Sequence, residues 1–255
     1  MGRRVMWINP VGSSEFNDEV ALLLNSSRDP DTTVAVTSLR RGPRYLGFRY
    51  YKALVLVDTL HEIRRAERDQ YDAAIIGCFG DPGLWEAREI LDRLIVVGPG
   101  EASMRIAASV AELFSIVVGS ESWIPGFGEE VDRYGFRRHL ASFVALEVDT
   151  IRFREQPSAM AERLFEASRR ALDKDHCGAI VLGCTFLSGC QPELQARLGV
   201  PVIDPVRAGL AYAEFLIDLK RSRHWSWTKT GGKTPPLREI KDWQIERDYG
   251  CEGLW

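Results

Sequence analysis

Two short stretches of the sequence read as copies of one another. Residues 73–83 (AAIIGCFGDPG) and residues 179–189 (AIVLGCTFLSG) each run from small and branched apolar residues through Gly and Cys into a turn. A continuous apolar run bounded by turn residues is typical of a strand buried in a parallel sheet. Each cysteine is therefore expected at the carboxyl end of a strand, which is the edge where open α/β sheets bind ligands.

A single cysteine in this setting is more often a buried structural thiol, because free Cys is among the most buried residue types. Cys78 and Cys184, however, have matched surroundings in the two halves of a 255-residue chain. The repetition favours a shared functional role. The remaining thiols, Cys177, Cys190 and Cys251, have no such setting and are interpreted as structural or incidental.

Strand-like runs alternate with helical patterns along most of the chain, which predicts parallel sheets covered by helices. The predicted fold class is α/β, with two pseudo-symmetric Rossmann-like lobes and an active-site cleft between them. We expect a first lobe at residues 1–98 plus 204–222, a second lobe at 99–203, and a tail at 223–255. The tail contains a loop at residues 230–236 and is rich in Trp. It is interpreted as packed on the surface, with a cover over the cleft or an oligomer contact as alternatives.

Helix starts are predicted from capping residues. Ser13 or Ser14 is expected to cap the first helix, which then starts at Glu15. Asp81 is expected to cap the helix after Cys78, and Asp204 the last long helix. Residues 98–100 (GPG) are read as a turn before a helix that begins at Met104.

Composition excludes several classes of function. The net charge of −3 and the pI of about 5.9 give no general nucleic-acid footprint. The longest apolar runs have the length of strands, so no membrane span is expected. The chain runs from Met1 straight into a strand pattern, and five cysteines are an odd count, so we expect a reducing cytoplasm. No C-x-x-C occurs and the four histidines are scattered, which gives no zinc signal.

Two facing thiols permit a specific chemistry. Both cysteines precede predicted helix starts, where free N–H groups favour an anion. A thiolate takes a proton and a neutral thiol gives one, so a pair on opposite faces of a planar intermediate inverts a carbon–hydrogen centre without metal or cofactor. The sulfurs should then lie about 6–9 Å apart, which leaves room for one planar carbon. A Cys-His hydrolase is an alternative that would need a histidine brought close by the fold.

The substrate of such a pair needs an acidic hydrogen next to a carbonyl, and the carbanion needs donors aimed at the carbonyl oxygen. The candidate donors are the backbone N–H groups and hydroxyls that follow the strands: those of Phe79, Gly80, Ser120, Thr185 and Phe186. Asn9, in the loop after the first strand, either orients polar groups of the substrate or closes a turn before Pro10.

Six stretches in order resemble the aspartate/glutamate racemase superfamily, and within it the hydantoin racemase and allantoin racemase group. They are residues 8–10 (INP), 78–84 (CFGDPGL), 100–104 (GEASM), 114–117 (FSIV), 181–184 (VLGC) and 199–204 (GVPVID). The resemblance covers about residues 4 to 220. It implies two pseudo-symmetric α/β lobes and cofactor-independent racemisation, with Cys78 and Cys184 in the positions of the two catalytic cysteines.

Three departures from the family pattern bear on the substrate. Thr185-Phe186-Leu187 follows the second cysteine, where hydantoin racemases usually have Ala-Gly-Met and glutamate racemase has a similar Gly-Cys-Thr. Val11 replaces an expected Asn, and Pro205 an expected Gly. These changes leave the two-thiol chemistry intact. Phe79, Phe186, Leu187 and Val11 are predicted to add apolar surface to the cleft, which favours apolar ring substituents.

The leading interpretation is a racemase of 5-substituted hydantoins. Its expected partners are a small-molecule substrate and further copies of the same chain in a homo-oligomer, without nucleic acid or membrane. Within the fold, allantoin racemase and an aspartate- or glutamate-type amino-acid racemase are the alternatives. A decarboxylase or a cis-trans isomerase of the superfamily would be a different reaction class. The decarboxylase is disfavoured, because such relatives resemble the pattern with only one of the two cysteines. Outside enzymes, the alternative is a two-lobe small-molecule binding protein.

Overall fold

Eight strands form two four-stranded parallel sheets in the part of the chain that the computed structural model describes, residues 2–148, 157–229 and 234–255. The strands of the first sheet are β1 (Arg3–Asn9), β2 (Thr32–Ser38), β3 (Ala73–Ile76) and β4 (Ile95–Val97). Those of the second are β5 (Phe114–Val118), β6 (Leu140–Ala145), β7 (Ala179–Leu182) and β8 (Val202–Ile203).

Ten helices connect or follow these strands in the described residues. They are α1 (Asn17–Ser27), α2 (Arg49–Arg68), α3 (Leu84–Ile90), α4 (Pro99–Val110), α5 (Ile124–Tyr134), α6 (Pro157–Asp175), α7 (Gln191–Leu198), α8 (Pro205–Arg223), α9 (Leu237–Asp242) and α10 (Ile245–Asp248). None of the helices in these ranges is long and apolar enough to cross a membrane.

The two sheets have the same topology. The first has the strand order β2-β1-β3-β4 and the second β6-β5-β7-β8, and every neighbouring pair is parallel. The apolar runs that predicted β3 and β7 are buried at all four positions, as covered parallel strands require. The predicted α/β class with a duplicated parallel arrangement is therefore confirmed.

The chain divides into two compact units. The first contains residues 1–77, 81–97 and 210–255, and the second contains 78–80 and 98–209. The division falls inside α8, and the tail clusters with the first unit; the predicted lobe and tail bounds stay a prediction. Helix α4 packs on the second sheet, where Met104 and Ala107 join Phe114, Ile116 and Val181 in one apolar core.

Three of the predicted helix starts are wrong. Helix α1 follows Phe16 with no side-chain cap, and Ser13 Oγ instead accepts from the N–H of Glu15. Helix α3 starts after Gly83, whose φ of 82° is a left-handed conformation that glycine adopts at little cost. Asp81 lies before that turn at φ 41°, not at the cap.

The third difference is at residues 98–100, where the helix begins at Pro99 and not at Met104. Pro99 is the first residue of α4, a position that suits proline because its missing N–H would be unpaired there anyway. The predicted cap at Asp204 is confirmed, since its Oδ1 accepts from the N–H groups of Val206 and Arg207.

The tail packs on its own unit, in line with the plainer interpretation of its sequence. Arg64 of α2 donates from Nε to the carbonyl of Leu254 at 2.7 Å, and its guanidinium lies 4.9 Å from the ring centre of Trp255. An apolar cavity of about 360 Å³ lies between α2 and the tail. The predicted loop at residues 230–236 falls partly outside the described residues.

Candidate functional site

Each of the two predicted catalytic cysteines lies at a topological switch point. In each sheet the chain leaves the inner strand (β1 or β5) in one direction and returns on its other side as β3 or β7. Ligands of open α/β sheets bind at this reversal, outside the carboxyl ends of the strands. Cys78 follows β3 and Cys184 follows β7, both are half-buried, and both belong to the second unit.

The glycine before each cysteine is required by the close approach of the neighbouring strand. Gly77 donates its N–H to Ile8 at 2.7 Å, and a Cβ there would lie 2.5 Å from Nε1 of Trp7 and 2.7 Å from Oδ1 of Asn9. Gly183 donates to Val117 at 2.8 Å, and its Cβ would lie 2.8 Å from that carbonyl oxygen. The Gly-Cys pair therefore fixes the strand end that presents each thiol.

Asn9 is buried beside Gly77 in a hydrogen-bond network of the first unit. Its Oδ1 accepts from Nε1 of Trp7 at 2.6 Å, and its Nδ2 donates to Oδ1 of Asn17 at 2.7 Å. Ser38 donates to the same oxygen of Asn17. With 7% of its surface exposed, Asn9 holds the ends of β1 and β2 in place. Its predicted contact with a substrate stays a prediction.

Phe79 anchors the Cys78 loop in the core of the second unit. Its side chain is 3% exposed, and its ring centre lies 5.1 Å from that of Phe127 in an edge-on contact. The ring therefore packs among core residues, and so does the fully buried Leu187. Both side chains are therefore buried in the core, and their predicted place in an apolar binding surface stays a prediction.

The backbone N–H groups of Phe79 and Gly80 directly follow Cys78 in the chain, and their predicted role as donors to a substrate stays a prediction. The loop after Cys184 forms a short 3-10 turn over Thr185–Leu187, in which the N–H of Leu187 donates to the carbonyl of Cys184 at 3.0 Å. Thr185 and Phe186 are half-buried in that turn. They are the side chains of this loop that stay candidates for substrate contact.

Neither of the two following α-helices begins directly after its cysteine. Helix α3 begins at Leu84 and α7 at Gln191, so turn residues separate both cysteines from the first helical N–H groups. The argument that a long helix dipole acts on both thiols is therefore weaker than predicted, because that effect fades within about one turn. For Cys184 the nearest helical N–H groups are those of the 3-10 turn.

Ser120 follows β5 at the switch point of the second sheet. Its hydroxyl accepts from the N–H of Ser122 at 3.3 Å and lies 2.9 Å from the hydroxyl of the same residue. It therefore caps the 3-10 turn Glu121–Trp123, and its predicted contact with a substrate stays a prediction.

The other thiols differ from the predicted pair. Cys177 and Cys251 are buried, and burial raises the pKa of both thiols. Cys190 is half-buried before α7. Among residues 2–148, 157–229 and 234–255, no group of three or more His, Cys, Asp or Glu side chains is placed to hold a metal ion.

The sequence predicts Asp204 only as a helix cap, whereas the structure shows that it also bonds to the Cys184 loop. This carboxylate is 2% exposed and accepts from Gly189 in the Cys184 loop as well as from the start of α8. The sequence signal was an acid directly after a short apolar strand and before Pro205. That signal indicates a helix cap and contains nothing about the second bond.

Comparisons with known proteins agree with this arrangement. A family model described as Asp/Glu/Hydantoin racemase matches residues 5–213. A hydantoin racemase of Pseudomonas sp. (strain NS671) is 32% identical over 93% of this chain and 91% of its own. One from Paenarthrobacter aurescens is 36% identical over 85% and 92%. The solved structure of an allantoin racemase from Klebsiella pneumoniae superposes with a TM-score of 0.81 at 32% identity, covering 86% of this chain and 89% of that one.

Proposed function

The chain belongs to the Asp/Glu/Hydantoin racemase family and is an isomerase of the racemase type, and on that premise we propose that it interconverts the enantiomers of 5-substituted hydantoins. Cys78 and Cys184 act as the two acid–base groups in this proposal. The reaction uses a small-molecule substrate and draws on no cofactor.

The observation that carries the proposal is the equivalence of the two thiols. Each follows the third strand of the same topology, directly after a glycine that a neighbouring strand makes obligatory. Racemisation needs one group that removes a proton from one face of a carbon and another that returns a proton to the opposite face. Two chemically identical groups at equivalent places suit a reaction that must run in both directions.

The proposed reaction breaks and forms one carbon–hydrogen bond at C5 of the ring. One thiolate removes the proton, and the electron pair moves into the adjacent carbonyl to give a planar enolate. The other thiol donates its proton to the opposite face, so the substrate is inverted and the two sulfurs have exchanged protonation states. The carbonyl next to C5 makes this hydrogen acidic enough for a thiolate base.

The enolate oxygen needs hydrogen-bond donors, which stabilise the transition state most when they are fixed in advance. Backbone N–H groups at Phe79, Gly80 and Phe186 and the hydroxyl of Thr185 are the proposed donors. All of them belong to the two loops that follow the cysteines, so a shift of either loop changes acid–base geometry and oxyanion binding together.

Allantoin is a second candidate substrate, favoured by the likeness to the allantoin racemase structure. Allantoin is a hydantoin with a ureido group at C5, so the reacting centre is the same and the two candidates differ only in the substituent. A free amino acid such as aspartate or glutamate is the more distant alternative, since its carboxylate makes the α-hydrogen less acidic.

Single substitutions test the two-thiol proposal. Cys78→Ser and Cys184→Ser should each abolish racemisation, measured by polarimetry on enantiopure substrate. In deuterated water each variant should still exchange the C5 hydrogen of one enantiomer, and the two variants should differ in which one. A single variant that racemises at the parental rate would show that the replaced cysteine is not an acid–base group. Cys190→Ser is the matched control and should keep the parental rate.

Assembly and location stay predictions. A homo-oligomer is expected, and light scattering of the purified chain measures it. The predicted cytoplasmic location is checked by fractionating cells that express the chain.

A further inference from the structure

The pairing register identifies one position at which a buried acidic side chain is present in the second sheet and no side chain in the first. Ile75 of β3 pairs with Val97 of β4, and Val181 of β7 pairs with Ile203 of β8. Ile75 and Val181 both stand two residues before the glycine of the Gly-Cys pair. The next residues along β4 and β8 are therefore equivalent, and they are Gly98 in the first sheet and Asp204 in the second. Each is followed by a proline that begins a helix.

Asp204 uses its two carboxylate oxygens for different partners. Oδ1 accepts from the N–H groups of Val206 and Arg207 at 2.9 and 3.2 Å, which caps α8. Oδ2 accepts from the N–H of Gly189 at 2.9 Å. The carboxylate thus ties the start of α8 to the end of the loop that begins with Cys184.

The bond to Gly189 completes the fixation of that loop. At its beginning, the N–H of Gly183 is bonded to Val117, and in the middle the fully buried Leu187 packs in the core. Gly189 ends the turn at φ 92°, and its N–H points to Asp204. Between these fixed points lie the thiol of Cys184 and the side chain of Thr185, so Asp204 constrains where both groups stand.

The Cys78 loop is held by other means. Phe79 is anchored in the core, and the equivalent of Asp204 on that side is Gly98, which has no side chain to offer. The carboxylate is therefore an asymmetric feature of a symmetric fold, and the cysteine loop to which its side chain bonds is that of Cys184.

We propose that Asp204 is a positioning residue for the Cys184 half of the racemisation and that the Cys78 half does not depend on it. The inference rests on the two-thiol function proposed above. It goes further in assigning a residue outside the Cys184 loop to one direction of proton removal.

Asp204→Ser separates the two bonds of the carboxylate. Serine is a good N-cap, so its hydroxyl keeps a bond to the start of α8. It is shorter and has a single oxygen, so it loses Gly189. Asp204→Asn is the second variant, because an amide has one acceptor oxygen where the carboxylate has two. With that oxygen on the N–H groups at the start of α8, the NH2 group faces Gly189 and cannot accept its N–H. Glu67→Gln is the matched control, since Glu67 is a buried carboxylate of the first unit that accepts from the N–H groups of residues 92–94.

The first measurement is C5 hydrogen exchange in deuterated water, with one thiol present at a time. In the Cys78→Ser background, only Cys184 acts, and adding Asp204→Ser or Asp204→Asn should slow exchange by about a hundredfold, as a misplacement near 1 Å does. In the Cys184→Ser background the same changes should leave exchange within about twofold. Glu67→Gln should lower the thermal unfolding temperature without separating the two backgrounds. Equal slowing in both backgrounds, or no slowing in either, overturns the inference.

A second measurement is independent of racemisation. The alkylation rates of Cys78 and Cys184 by iodoacetamide are followed by mass spectrometry in the parent and in Asp204→Asn. Loosening of the loop should raise the Cys184 rate several-fold and leave the Cys78 rate unchanged. Equal rates in parent and variant, or a rise at both thiols, overturn the role of Asp204. A failure of the serine variants to show enantiomer-selective exchange refutes the two-thiol function instead, and the alkylation result still decides about Asp204.

Discussion

Gly77 and Gly183 occupy the same position in two copies of one topology, and each lies against the two side chains that flank its hydrogen-bond partner. Gly77 bonds to Ile8 and lies between the side chains of Trp7 and Asn9, whereas Gly183 bonds to Val117 and lies between those of Ile116 and Val118. The thiol that follows is in both cases carried by a strand end with no freedom to shift sideways.

Replacing either glycine should therefore damage both stability and activity. A Cβ at Gly77 meets the buried and hydrogen-bonded indole of Trp7, and one at Gly183 meets the backbone oxygen of Val117. Overpacking of this kind costs about 1–3 kcal/mol. Gly77→Ala and Gly183→Ala should lower the free energy of unfolding by that amount, measured by denaturant titration, and reduce kcat because the adjacent thiol moves.

The matched control is Gly128→Ala in α5. A Cβ there meets only the flexible end of Arg137 at 3.4 Å. Alanine is favoured over glycine inside a helix by about 1 kcal/mol, so this variant should be as stable as the parent or more stable. Parental stability and activity in both Gly77→Ala and Gly183→Ala would contradict the close-approach argument.

The strand pattern was readable from the sequence because it depends on local composition. The runs before Cys78 and Cys184 are short, apolar and bounded by glycine, and the structure places strands there with bounds close to those expected. The positions of turn side chains were not readable. Phe79 and Leu187 follow the cysteines as Phe186 does, yet only packing against residues distant in sequence decides which of them is buried.

Helix starts were also read less well than strands. Asp81 and Ser13 have the side chains of good caps, but Gly83 and Phe16 take the cap positions. Capping contributes about 1 kcal/mol, which the packing of a whole helix outweighs. Asp204 was read correctly as a cap, although its second bond joins residues that are neighbours only in the folded chain.

The five thiols should differ in reactivity. Cys78 and Cys184 are half-buried, whereas Cys177 and Cys251 are buried and burial raises their pKa, so less thiolate is present at any given pH. Because the thiolate is the nucleophile, iodoacetamide should modify Cys78 and Cys184 before Cys177 and Cys251 in the folded protein at pH 8. Peptide mass spectrometry over a time course measures the order. Faster loss of Cys177 than of both predicted catalytic thiols would contradict it, and equal rates in denaturant provide the control.

The buried hydrogen bond from Trp7 to Asn9 should contribute to the free energy of unfolding. Asn9→Ala leaves the buried Nε1 of Trp7 without its acceptor, which costs about 1–3 kcal/mol. Trp7→Phe removes the donor but also loses ring volume. In a double-mutant cycle measured by urea unfolding, the combined variant should be less destabilised than the sum of the single variants. Strict additivity would show that the bond contributes nothing to stability.

Stability should fall on mild acidification, partly because of His61. Burial lowers the pKa of this histidine, against a weaker opposing effect of Asp58. The folded chain therefore binds a proton less readily than the unfolded chain, so this contribution to stability is complete above pH 6.5 and is lost as the pH falls below it. Urea midpoints at pH 7.5, 6.5 and 5.5 should decline less in His61→Gln than in the parent. His224→Gln, at an exposed position, is the control and should follow the parent.

The hydantoin ring should affect kcat/KM more than the substituent at C5 does. The C5 hydrogen of 5-benzylhydantoin and of allantoin is next to a ring carbonyl, so both should be racemised, with kcat/KM far above that for free aspartate or glutamate. Phe186 is half-buried two residues after Cys184, so it stays a candidate for contact with the substituent. An apolar contact of this kind should favour the benzyl over the ureido substituent by about tenfold.

Two phenylalanine variants test the role of the substituent contact. Phe186→Leu should lower kcat/KM for 5-benzylhydantoin more than for allantoin, because it removes aromatic surface beside Cys184. Phe79→Leu, in the core, should reduce stability and affect both substrates alike. Coupled polarimetric assays on the enantiopure substrates measure the ratios. A preference for allantoin that Phe186→Leu leaves unchanged would assign the chain to the ureido-substituted ring, while a preference for free glutamate would overturn the hydantoin proposal and leave the two-thiol chemistry in place.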